Sequence, residues 1–169
     1  MFWKKRGVPS AQIAMDYATS VNQVAEMLLK HIDSLDASSP ATHRRKEVCA
    51  MVWASAVAAF ESSDLEREDK DKLVPLVLQS LLPSWQKHFT SQSEMTSFLS
   101  GRTTDYLSSG DPSNPLETAQ GLLHELFSSI GAPDYVLIGL GTILTPVIAN
   151  SLMDDIQLLN NIKSQFGIS

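Results

Sequence analysis

The sequence predicts an all-α, single-domain bundle of about six helices around a buried apolar helix near residues 134–153. Apolar residues recur at three- and four-residue intervals along most of the chain, and no stretch alternates long enough to form a strand. Residues 135–153 carry no charge. A length of 169 residues suits one domain with a substantial core. We therefore expect a short tail at residues 1–9 and one helical domain over residues 10–169.

Composition narrows the class of protein. The net charge of −6 and the isoelectric point near 5.1 argue against a general nucleic-acid-binding protein. An apolar content of 43% with 19% charged residues is typical of a globular chain. The single cysteine, Cys49, excludes an internal disulfide and fits a reducing compartment. No apolar segment follows the basic residues at the start, so we expect a cytoplasmic protein.

The N-terminal tail combines two aromatic residues with three cations, namely Phe2, Trp3, Lys4, Lys5 and Arg6. One interpretation is a contact site for a partner or an anionic membrane surface, since aromatics favour interfaces and cations favour anionic lipid. The other is a frayed terminus whose aromatics fold back onto the bundle. We favour the second, because three cations alone anchor a protein only weakly to a membrane surface.

The first two helices are predicted from their caps and apolar patterns. Ser10 is the predicted cap of a helix that runs to about Asp36, with one continuous apolar line. Ser39 as cap and Pro40 in the first position predict a second helix, which ends near Glu61. Its apolar residues point in nearly every direction and are interleaved with alanines, which indicates a second buried helix at residues 42–61.

The third helix is predicted to begin with a capping box. Ser63 and Glu66 have the required spacing, and a charged segment follows them. Pro75 and Pro83 interrupt the apolar pattern further along. Because proline removes a helical hydrogen bond, we expect kinks or a split into two short helices.

The fourth and fifth helices also have clear start signals. Ser91 is the predicted cap of the fourth helix. Asn114 as cap, Pro115 in the first position and Glu117 in the third predict the start of the fifth. Gly131 marks the end of the fifth helix, because glycine adopts the left-handed conformation that terminates helices.

The sixth predicted helix runs from residue 134 to about residue 166, and its uncharged part permits two interpretations. About 20 apolar residues can cross a bilayer. However, glycine, threonine, proline and asparagine dilute the run. No lysine or arginine occurs between Arg102 and Lys163, so neither end of the run is anchored by such a cation. Downstream, the apolar residues form a one-sided stripe. We therefore expect a helix buried by its own chain. Within it, Gly141, Thr145 and Ala149 form a ridge that would let another backbone approach closely.

Known catalytic, nucleotide-binding and metal-binding motifs are missing from the sequence. The four histidines lie on different predicted helices without a second ligand at helical spacing. We expect neither a cofactor nor a metal. Asp155 falls within the apolar stripe of the last helix. Either it is an edge carboxylate that reaches water, which we favour, or it is a partly buried acid with a raised pKa at a functional cleft.

Two functions follow as expectations. The first is a non-enzymatic protein–protein interaction module, such as a regulator, adaptor or inhibitor, that binds a protein partner or a second copy of itself. The alternative is a helical binding protein for an apolar or aromatic small molecule, since proline kinks and small residues can leave a pocket between helices. The pocket-lining candidates are Met51, Trp53, Trp85, Met95 and Asp155.

Overall fold

The computed structural model describes residues 9–108, 110–111 and 113–165, without the side chains of residues 164 and 165. This part of the chain contains six α-helices and no strand, so the predicted all-α, single-domain class is confirmed. The helices are α1 (Ser10–Ile32), α2 (Ala41–Ser62), α3 (Arg67–Trp85), α4 (Gln92–Leu107), α5 (Pro115–Ser129) and α6 (Asp134–Gln165), with a 3-10 turn at Gln86–His88.

Helix α2 is the central element of the bundle. It contacts all five of the other α-helices. From Glu47 to Phe60 every residue is buried except Val57, which is half-buried. A helix that is apolar on all sides must be covered on all sides, and its alanines let the neighbouring helices approach closely. The predicted burial of residues 42–61 is therefore confirmed over residues 47–60, whereas Thr42 and Glu61 at the two ends are exposed.

The structure corrects the predicted position of residues 134–153. They belong to α6, which packs on α5 and α2 through one face only. Leu144, Ile148, Leu152 and Leu159 are buried on that face. The opposite face is exposed over the whole uncharged segment. Helix α6 therefore lies at the edge of the bundle, and α2 occupies the centre that the sequence had assigned to both.

Two predicted caps are present. The Ser91 hydroxyl accepts a hydrogen bond from the backbone N–H of Glu94, at 3.0 Å. The Asn114 side chain accepts two from the first turn of α5, at 3.1 and 3.3 Å. Gly131 has a φ of 66°, in the left-handed region, and turns the chain between α5 and α6. The local start signals of α4 and α5 and the stop signal of α5 are thus correct.

The start of α3 differs from the predicted capping box. This helix begins at Arg67, and the Ser63 hydroxyl donates instead to the carbonyl of Phe60, at the end of α2. Ser63 therefore closes one helix rather than opening the next. Pro75 and Pro83 both lie inside α3, which is continuous, so the helix is not split.

Candidate functional site

The exposed side of α6 is the most unusual surface among the described residues. We call it the α6 face and define it as the exposed, uncharged residues Tyr135, Ile138, Gly139, Thr142, Ile143, Pro146, Val147, Asn150 and Met153. Ile138 is 71% exposed, Tyr135 65%, Ile143 63% and Met153 54%. Side chains of this size are normally removed from water, so this face carries apolar area that the fold does not cover.

The apolar exposure is concentrated on this helix. Eight large hydrophobic side chains are exposed in the described part of the chain, and six of them belong to α6. The other two are Met15 on α1 and Leu116 on α5. Single exposed hydrophobic residues are ordinary on a protein surface, whereas a contiguous group marks an interaction site. The distribution therefore singles out the α6 face.

A groove of about 520 Å³ borders this face between α5 and α6. Leu116, Gln120 and His124 of α5 line one side, and no lysine, arginine or carboxylate contributes to the lining. Gly141 lies in the groove, where an added Cβ would meet only the side chain of Leu137 on the same helix, at 3.7 Å. The predicted close approach of another backbone at the ridge of small residues is therefore wrong at Gly141.

Acidic residues bound the α6 face at both ends. Asp134 is the first residue of α6, and Asp154 follows Met153 directly; both are exposed. The next cation, Lys163, donates to the carboxylate of Glu66 at 2.7 Å and to the backbone carbonyl of Asp64. This lysine is held against the start of α3. The face thus has acidic ends and an uncharged middle.

Among the described residues, one helix has the length and composition to cross a membrane, over residues 134–163. About a third of its most apolar window, 33%, is buried inside the bundle. Length and composition alone are weak evidence, because core helices of soluble proteins meet the same criteria.

Asp155 lies on the buried side of α6 and is 7% exposed. Burial raises the pKa of its carboxyl from 3.8 to about 7, although the hydroxyl of Tyr17 donates to it at 3.3 Å and partly opposes this shift. The environment is therefore that of the second interpretation, a buried acid with a raised pKa. The space beside this carboxyl is about 10 Å³, which is enough for one water molecule.

The pocket-lining candidates are placed in the core rather than around one cavity. Met51, Trp53, Trp85 and Met95 are all buried. Met51 lines the small space beside Asp155. The indole N–H of Trp85 donates to the side chain of Asn22 on α1, at 2.9 Å, and Met95 lies on α4. The five candidates are thus distributed over the bundle. The tail candidates Phe2, Trp3, Lys4, Lys5 and Arg6 lie outside the described residues.

A buried ionic cluster was not predicted from the sequence. Glu47 of α2 is 2% exposed and accepts hydrogen bonds from the guanidinium of Arg102, at 3.1 Å, and from the hydroxyl of Tyr106, at 2.8 Å. Arg102 also donates to Glu125 of α5, at 2.8 Å. Partial burial lowers the pKa of Arg102, but its bonds to Glu125 and Glu47 outweigh this and raise it.

This cluster joins α2, α4 and α5, and each of its members has a partner within the protein. Such an arrangement fixes how the helices pack but does not by itself offer chemistry to a substrate. Among the described residues, no group of three histidine, cysteine, aspartate or glutamate side chains is arranged to hold a metal ion. The α6 face with its groove is consequently the candidate site.

Comparisons with protein-family models, with curated protein sequences and with solved structures give no match to this chain.

Proposed function

We propose that this protein is a non-enzymatic protein-binding module, and that the α6 face with the adjacent groove is its binding surface. The observation that carries the proposal is the concentration of exposed large hydrophobic residues on one helix. Covering such a face removes apolar area from water, which is the main driving force of protein association.

The charges around the face favour a protein partner over a lipid surface. Helices that lie on membranes carry lysine and arginine beside their apolar face. Here Asp134 and Asp154 bound the face, and Lys163 is paired with Glu66. The net charge of −6 also disfavours approach to anionic lipid. A mainly apolar groove that also offers the polar side chains of Gln120 and His124 can accept side chains of a docked protein.

The alternative, an apolar small molecule held inside the bundle, has less support. The internal space beside Met51 and Asp155 measures about 10 Å³, whereas small-molecule sites usually measure about 300–1,000 Å³. The larger groove beside α6 is open to solvent, which suits a docked side chain better than an enclosed ligand.

Photo-crosslinking in the cells that produce the protein tests the proposal. A photoreactive amino acid replaces Ile143 in one variant and Met15 in another, so that both probes start from an exposed apolar residue. We expect protein adducts from position 143 and none above background from position 15. Lipid adducts alone at position 143, or equal adduct yields at both positions, would contradict the proposal.

A further inference from the structure

We propose that the α6 face binds the same face of a second copy of this chain, with the two α6 helices antiparallel about a two-fold axis beside position 144. This inference rests on the proposed function and assigns its partner. It is carried by the distribution, the register and the size of the exposed apolar surface.

The distribution indicates that both copies use the same face. Outside α6, the exposed large hydrophobic residues of the described chain are Met15 and Leu116, and Leu116 borders the α6 groove. The described surface therefore offers no second apolar patch that could cover α6. Within the described residues, a second copy can match this face only with its own α6. Such a contact is isologous and closes into a dimer rather than growing into a filament.

The register of the face is self-complementary. Tyr135 and Met153 are separated by 18 residues, which is five full helical turns, so they point in the same direction. Position 144 is their midpoint. A two-fold axis there, perpendicular to α6, places Tyr135 against the partner's Met153.

The same axis pairs the residues nearer the centre. It brings Thr142 against the partner's Pro146, and Ile143 lies close to the partner's Val147. Within each pair the two residues are four positions apart and so lie on the same side of the helix. A two-fold axis of this kind also keeps each side of one helix against the same side of the other. All of these residues are exposed in the single chain.

The helix macrodipole, rather than side-chain charge, favours the antiparallel arrangement over the parallel one. The axis beside position 144 brings Asp154 to the level of the partner's Asp134, so carboxylates meet at the ends of the face in either orientation. A parallel dimer would in addition align the positive ends of the two α6 helices side by side, whereas an antiparallel dimer does not.

The size of the surface is sufficient for a reversible dimer. Residues 135–153 span about 28 Å at 1.5 Å per residue, and the face with the adjoining rim of α5 is about 20 Å wide. Each copy would therefore bury roughly 560 Å², or about 1,100 Å² in total, slightly above the usual lower limit of about 1,000 Å² for a specific interface. We expect a dissociation constant in about the micromolar range.

Cysteine cross-linking tests the register. The variants Tyr135→Cys and Met153→Cys are treated with a short bismaleimide, separately and as an equal mixture. We expect a cross-linked dimer from the mixture only, because identical positions lie about 27 Å apart across the axis. Native Cys49 does not interfere, since it is buried and burial raises the pKa of its thiol to about 12. Wild-type protein is the control.

Each other result of this cross-linking overturns the proposal. A dimer from each single variant indicates a parallel arrangement, and no dimer in any sample indicates that the faces do not meet. Sedimentation velocity adds a second measurement on the full chain. Ile143→Glu should weaken the dimer at least tenfold, and Met15→Glu should leave it unchanged. If the wild-type protein stays monomeric well above micromolar concentration, the proposal that a second copy is the partner is wrong.

Failure of the dimer and failure of the proposed function give different results. If the protein is monomeric but the photoreactive residue at position 143 still yields adducts with another protein, the α6 face binds a different partner. In that case the protein-binding function stands and the dimer does not. If position 143 yields only lipid adducts, or none, both proposals fail.

Discussion

Helices α2 and α6 are both built around a long uncharged segment, yet one is covered on almost every side and the other on only one. α2 contacts all five other helices, whereas α6 packs mainly on α5 and α2. The difference in residue size is instructive. α2 is rich in alanine, which leaves room for helices to pack around it, while the exposed side of α6 carries tyrosine, isoleucine and methionine. An apolar segment indicates that a helix will bury part of its surface, but the number of helices packed against it determines how much of that surface is buried.

Each of these two helices also carries one buried carboxylate, and the two groups are held differently. Glu47 of α2 is paired with Arg102, whereas Asp155 of α6 has only the hydroxyl of Tyr17. Where a buried carboxylate is paired with a cation, the stability of the fold depends on that cation. A buried carboxyl group without a cation favours its protonated form, so its contribution to stability depends on pH.

The largest effect should follow from removing the α4 cation that pairs with the buried carboxylate of α2. Arg102→Met leaves Glu47 buried without its ion-pair partner, so we expect the free energy of unfolding to fall by about 3–5 kcal/mol. Urea denaturation monitored by circular dichroism measures this change. A double variant, Glu47→Met with Arg102→Met, should recover a substantial part of the loss. If the double variant loses as much as the sum of the two single variants, the pair is not coupled.

The carboxylate of α6 predicts a pH-dependent stability. The pKa of Asp155 is about 7 in the folded chain and 3.8 ordinarily, so between these values the folded state binds more protons than the unfolded state. The contribution of Asp155 therefore weakens as pH rises from about 4 to 7 and is constant above that. Asp155→Asn removes this dependence. We therefore expect the difference in the free energy of unfolding between the variant and wild type to shift in favour of the variant as pH rises. At 1.36 kcal/mol per pKa unit, this shift should reach about 4 kcal/mol at pH 8.

The titratable groups near Asp155 determine the control for this experiment. Tyr17 faces it from α1 and Asp154 adjoins it on α6, while the α2 residues around it, Met51, Val52, Ser55 and Ala56, do not titrate. Asp154→Asn is therefore the control and should change the pH profile much less. A stability difference between Asp155→Asn and wild type that is equal at pH 4 and pH 8 would show that Asp155 is not a buried acid.

Two methionines allow the helices to be compared with the same substitution. Met51 of α2 is fully buried, at 0% exposure, and Met153 of α6 is 54% exposed. Met51→Ala should lower the free energy of unfolding by about 3 kcal/mol, because it removes buried methylenes and leaves a cavity. Met153→Ala should change the free energy of unfolding by less than about 0.5 kcal/mol. Thermal denaturation at a concentration where the protein is monomeric measures both. Similar losses would mean that Met153 is covered by the fold.

Local signals in the sequence were sufficient for the fold class and several helix ends, but not for the depth of burial. Asn114 and Gly131 act within one turn of the chain, so their roles can be read from neighbouring residues. The uncharged stretch in α6 offers no polar–apolar contrast strong enough to show which side faces outward. One signal was present: the downstream apolar stripe continues upstream through Leu144 along the buried side.

Contacts between distant residues leave no local pattern in the sequence. Glu47 and Arg102 are 55 positions apart, and no spacing rule links residues on separate helices. The same reason explains the cations at the start of α2. Arg45 pairs with Asp33 and Lys46 with Glu94, and both partners lie on or beside other helices. These ion pairs depend on which helices are neighbours, and that is determined by the packing of the whole bundle.

The smallest effect concerns the starts of α2 and of α5, the helix that supports α6. Asn114 caps α5 with two hydrogen bonds, whereas the hydroxyl of Ser39, the predicted cap of α2, has no hydrogen-bond partner among the described residues. Asn114→Ala should therefore cost about 1 kcal/mol, and Ser39→Ala should change the stability by less than about 0.5 kcal/mol because no bond is lost. Urea denaturation of both variants checks this. A loss of a full kcal/mol for Ser39→Ala would mean that Ser39 does cap α2, and that α2, like α5, begins with a side-chain cap in addition to its burial.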